Sequence, residues 1–116
     1  MGYTSRVGIC MTKEYAELLH DNIQKVEHSL REILLDLLSD ADVLKDDDGC
    51  QSWYWNCYRW YSDDPDIAFL ESYLESIDWN QFLFLRIGED LDDVDCMGNF
   101  WDNPFGMSLV RDIAFS

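Results

Sequence analysis

Residues 50–61 read CQSWYWNCYRWY and residues 62–78 read SDDPDIAFLESYLESID, and the junction between them decides the fold. Aromatic residues fit a pleated surface, so the first stretch predicts a strand. Period-two alternation places Trp53, Trp55 and Tyr61 on one side and Tyr54, Tyr58 and Trp60 on the other. In the second stretch Asp64 is an N-cap, Pro65 takes the first helical position, and Ile67, Leu70, Leu74 and Ile77 follow at helical spacing. One face of that strand can join a core, and the other needs an explanation.

Upstream, residues 5–11 (SRVGICM) alternate with Val7, Ile9 and Met11 on one side, the pattern of a half-buried strand. Thr12 is a candidate N-cap, and from Lys13 to about Asp42 apolar residues recur as Leu19, Ile23, Val26, Leu30, Ile33 and Leu37. That pattern predicts one long helix of some 45 Å at about 1.5 Å per residue. A bend or break is expected near Leu38 to Leu44, and packing on a sheet is preferred to a coiled-coil seam between two copies. Residues 45–49 (KDDDG) read as a turn. Downstream, strands are expected over residues 81–88, 94–101 and 107–115, separated by turns. The fold class expected is α+β, one domain over residues 1–116, a two-layer sandwich with a mixed sheet of about five strands and two helices on one face, in the order β-α-β-α-β-β-β. The other sheet face is expected to be open, and rich in aromatic residues.

Composition narrows the function. The chain of 116 residues carries 24 acidic and 8 basic side chains, a formal charge of -16, with 47% hydrophobic residues. Such a charge repels phosphate backbones and anionic membranes, so neither nucleic acid nor a membrane is an expected direct partner. No run of signal-peptide or membrane-spanning length is present, and a soluble, cytoplasmic protein is expected. Cys10, Cys50, Cys57 and Cys96 form no C-x-x-C pair and read as packing thiols. His20 and His28, eight residues apart, are not spaced to share a metal on a helix.

The opening MGYTSRVGI, the strand ending YRWY before DDPD, and the FLRIGED and DNPFGMSLVR segments resemble a group of small acidic phage and prophage proteins. Those proteins open with MGY and have a W-x-W or K-W-Y strand before an Asp-Pro helix start. The group's motifs encode no established activity. The resemblance implies a phage or mobile-element context in a host bacterial cell, where small acidic proteins often bind and block a host protein.

Two sets of residues carry the functional expectation. From Asp36 to Asp102 there are 18 acids and three bases, with three clusters: Asp46, Asp47 and Asp48; Asp63, Asp64 and Asp66; Glu89, Asp90, Asp92, Asp93 and Asp95. Arrayed carboxylates imitate a nucleic-acid backbone and steer association with a basic groove, with steep loss in salt. Solubility and helix capping account for the same residues without a partner. Calcium is disfavoured, because EDLDDVD places Val94, and DDDGC places Cys50, where an EF-hand loop needs other residues. The second set is Arg6, Arg59, Arg86 and Arg111, all on expected strands, with Trp53 and Trp55 beside them. Gathered on an open face they would grip a small anion or nucleotide. Pairing with acids such as Asp95 and Asp112 is the structural alternative.

The absence of G-x-S-x-G, H-E-x-x-H and glycine-rich phosphate loops argues against an enzyme, and no cofactor or metal is expected. The leading expectation is a DNA-mimicking, anti-defence inhibitor, anti-CRISPR-like in mode, of a host nucleic-acid-binding protein. The alternatives are an anion or nucleotide module and a homodimer that buries an aromatic face.

Overall fold

Val7, Ile9 and Met11 are fully buried on the first strand, β1 (Ser5–Thr12). A computed structural model of the chain describes residues 3–47, 49–90, 92–100, 103–105, 107–109 and 113–114. After β1 come α1 (Lys13–Gln24), α2 (His28–Ser39), β2 (Val43–Asp47), β3 (Cys50–Tyr58), α3 (Pro65–Ser76), a 3-10 turn (Trp79–Gln81), β4 (Phe82–Ile87), β5 (Val94–Gly98), β6 (Ser108–Leu109) and β7 (Ile113–Ala114). Five strands form one sheet in the order β2-β3-β1-β4-β5, and β6 and β7 form a separate hairpin.

The two-layer α+β architecture is present. Ala16, Leu19 and Ile23 of α1, Leu34, Leu37 and Leu38 of α2, and Ile67, Leu70, Tyr73 and Leu74 of α3 join one core with Val7, Ile9, Met11, Trp53, Trp55, Phe82 and Phe84 of the sheet. All three helices therefore lie on one sheet face, and period-two alternation sends these strand residues toward them.

Four details differ from the sequence reading. The sheet is antiparallel at every pairing, not mixed. The long helix is two helices, divided at residues 25–27 and not near Leu38. The molecule's largest extent is 38 Å, shorter than the undivided helix would be, and the interruption folds α2 back onto α3. Residues 43–47, expected to close the helix and open a turn, form strand β2. Its hairpin with β3 turns through Gly49 at φ +74°, a conformation that favours glycine.

The fourth difference concerns the other sheet face, which is not an open aromatic surface. Cys10, Cys50, Leu83 and Leu85 pack there with Phe105 and Met107, so the chain after β5 returns across it. β5 itself stops at Gly98, whose φ of +91° ends the expected longer strand; residues 101 and 102 lie outside the described set. The expected final strand is the β6–β7 hairpin.

Candidate partner-binding surface

Strand pairing gives the sheet two ends. Ser5, Tyr58, Ile87 and Val94 mark the first, and Thr12, Cys50, Phe82 and Gly98 the second. At the first end Ser5 pairs with Tyr58 while Val7 pairs with Trp55. Two residues of β3, Asn56 and Cys57, thus oppose Arg6 alone, which is a β-bulge. The extra residue reverses the alternation. Tyr58 and Trp60, assigned by period two to the face away from Trp55, instead join its helix-side core. The ring centroids of Trp60 lie 5.2 Å from Trp55 and 6.0 Å from Phe84. The indole N–H of Trp55 donates to the Leu37 carbonyl at 2.9 Å, and that of Trp60 to Glu71 at 3.2 Å, so the buried indoles keep their hydrogen bonds.

The three acidic clusters separate. Asp46 is exposed on β2 and Asp47 ends that strand at the second end of the sheet; Asp48 lies outside the described residues. The other two clusters stand at the first end. Asp63 is exposed, Asp64 is the N-cap of α3, and Asp66 accepts from its neighbour, the Ile67 amide, at 2.9 Å. Across the same end, the turn after β4 carries exposed Glu89, Asp90 and Asp92.

Asp93 and Asp95 are committed within the chain. The Arg86 guanidinium, whose side chain is 12% exposed, reaches Asp93 at 2.5 Å, Asp95 at 2.7 Å and the Ser5 hydroxyl at 2.9 Å. Burial works against the Arg86 charge, yet the hydrogen bonds to Asp93 and Asp95 outweigh it and raise its pKa. Hydrogen bonds from Arg86 and then from the Tyr3 hydroxyl, at 2.6 Å, hold the Asp93 carboxyl below its ordinary value. Glu89 accepts from the Thr4 amide at 2.7 Å, which orients its carboxylate without neutralising it.

Three acids that the sequence clusters omitted join this end: Asp36 and Asp40 at the end of α2, and Asp42 before β2. Burial first, and then the fields of Asp66, Asp40, Asp64 and Asp36, push the Tyr58 phenol above its usual pKa, so the acids of two helix ends act on the same phenol. The last turn of α2 contains no basic residue, although a helix C-terminus favours cations. Acids at a helix C-terminus were the signal available in the sequence.

The arginines do not gather with the tryptophans. Arg86 is paired as above, on the helix side. Arg6 is exposed on the opposite face, Arg59 is exposed beyond the end of β3 and not on a strand, and Arg111, like Asp112, lies outside the described residues. Trp53 and Trp55 are buried under the helices. A groove of about 770 Å³ does cross the first end of the outer face, lined by Cys57, Arg6, Ile87, Val94, Glu89 and Asp90. Among the described residues no group of His, Cys, Asp and Glu is arranged to hold a metal ion, and no helix is long and apolar enough to cross a membrane. Comparison with protein-family models, with curated proteins and with solved structures finds no match.

Proposed function

We propose that the protein binds the basic, nucleic-acid-binding surface of a host protein and blocks it by occupying the place of the phosphate backbone. The observation that supports this reading is the convergence at one end of the sheet of carboxylates from three elements: Asp36 and Asp40 of α2, Asp64 and Asp66 at α3, and Glu89, Asp90 and Asp92 after β4. Two further points favour it. Arg86 is taken up by Asp93 and Asp95 and is not available to Glu89, Asp90 and Asp92. Acids at the end of α2 oppose the helix dipole at a cost of about 0.3–1 kcal/mol each, a cost that a cationic partner removes. Asp46 and Asp47 belong to the other end of the sheet, about 25 Å away at 3.3 Å per strand residue.

The test is capture of bacterial host proteins on the immobilised chain at low salt, followed by parallel elution with salt and with duplex DNA. The expected result is a nucleic-acid-binding protein released by both, and weakly held by a variant carrying Asp40→Asn, Asp64→Asn and Asp66→Asn. A captured protein that DNA does not displace would overturn the mimicry.

A further inference from the structure

β5 is an edge strand of the sheet, and among the described residues no strand pairs with its outer side. The Gly88 amide donates to the Asp93 carbonyl at 2.7 Å, and the register continues through Arg86 with Asp95 and Phe84 with Met97. Antiparallel alternation therefore turns the backbone groups of Asp93, Asp95 and Met97 toward β4 and those of Val94 and Cys96 away from the sheet. On that outer side the Val94 amide meets the Asp92 carbonyl at 3.1 Å; among the described residues, the Cys96 amide and carbonyl meet no partner there.

The other edge is defended. β2 carries Lys45, Asp46 and Asp47 within five residues, the charged composition that discourages pairing with another strand. β5 carries one charge, Asp95, already bound to Arg86, and its Val94 and Cys96 side chains are exposed. Val94 also lines the groove at the first end of the sheet, together with Glu89 and Asp90. The groove's lining holds two carboxylates, Glu89 and Asp90, against one guanidinium, Arg6, so its charge is on balance negative. A charge of -16 repels a second copy of this chain and attracts a basic one.

We propose that β5 is a strand-addition site: an extended segment of the partner, rich in Lys or Arg, pairs with Cys96 and with the Val94 carbonyl. One of its basic side chains then enters the groove, with its methylene stem on Ile87 and Val94 and its cation at Glu89 and Asp90. Strand addition draws affinity from main-chain hydrogen bonds and specificity from alternate side chains. This inference rests on the basic partner proposed above, and adds how that partner is held.

The probe is an alternating Lys-Val heptapeptide with blocked ends, titrated into the isotope-labelled chain at about 50 and 300 mM salt. Cys96→Pro removes the outward amide without removing a bond to β4, since proline is tolerated where a strand amide faces solvent; Cys96→Ala keeps the amide. Expected are a Cys96 amide whose exchange slows about tenfold with peptide, an affinity reduced about tenfold by Cys96→Pro and unchanged by Cys96→Ala, and a further loss with Asp90→Asn. The exchange measurement uses the unaltered chain, so the test survives if the proline variant does not fold. Salt-sensitive binding with unchanged Cys96 exchange would overturn strand addition and leave the acidic-surface reading standing. Absence of any salt-sensitive binding would overturn both.

Discussion

The Asp42 carboxylate accepts the Asn56 amide proton at 2.7 Å, joining the loop before β2 to the bulge in β3. That amide belongs to the irregular step of the β1–β3 ladder, and the acid supplies its acceptor. Asp42→Ala is expected to lower stability by about 1 kcal/mol, while Asp42→Asn, which keeps an acceptor oxygen, loses less than half of that. Urea denaturation of the three proteins checks the order.

Arg86 links two carboxylates and the Ser5 hydroxyl across three strands. Removing one partner of a poorly solvated ion pair leaves its charge uncompensated, and partial exposure of the acids moderates the cost, so Arg86→Met is expected to lose on the order of 2 kcal/mol.

The same contact fixes a pH dependence. Asp93 has a folded pKa below its unfolded one, lowered by Arg86 and Tyr3. Its contribution is therefore complete above the unfolded carboxyl value of about 3.9, and is lost as pH falls through the depressed folded value. Denaturation midpoints between about pH 5 and pH 2 are expected to fall less steeply for Arg86→Met than for the parent.

Gly98 combines a φ of +91° with a position where an added Cβ would meet the Phe82 carbonyl. Gly98→Ala must strain the backbone and displace β4, with an expected loss of about 2 kcal/mol or more. Thermal denaturation beside Gly49→Ala, where a Cβ meets nothing within 4 Å, separates the close approach from the dihedral cost.

The thiols divide by depth. Cys10 is buried, and burial pushes its thiol up to about 12; Cys50 is also buried, whereas Cys57 and Cys96 are exposed. Partial burial also raises the Cys96 thiol and the thiolate is the reactive form, so iodoacetamide at neutral pH is expected to label Cys57 first, Cys96 more slowly and all four cysteines only in guanidinium, as mass spectrometry would read.

Local pattern made β1 and α3 legible: Val7, Ile9 and Met11 alternate into the core, and Asp64-Pro65 opens the helix as expected. The division between α1 and α2 was not legible, because residues 25–27 contain neither Gly nor Pro and Ile23, Val26 and Leu30 keep their spacing through it. Strand β2 was hidden by its aspartates, which disfavour strands but are tolerated at an exposed edge. For the candidate surface, the clusters at α3 and after β4 were visible in sequence. The meeting of the α3 cluster with Asp36 and Asp40 around Tyr58 was not, since it depends on a bulge that period-two counting cannot register.

That bulge also gives the molecule an optical reporter. Tyr58 lies at the acidic end with its ring centroid 6.2 Å from Trp60, which adjoins Trp55 and Phe84 in the core. A ligand that settles on the carboxylates around Tyr58 therefore perturbs a chain of rings leading inward, and intrinsic emission will register occupancy of this end without any attached dye.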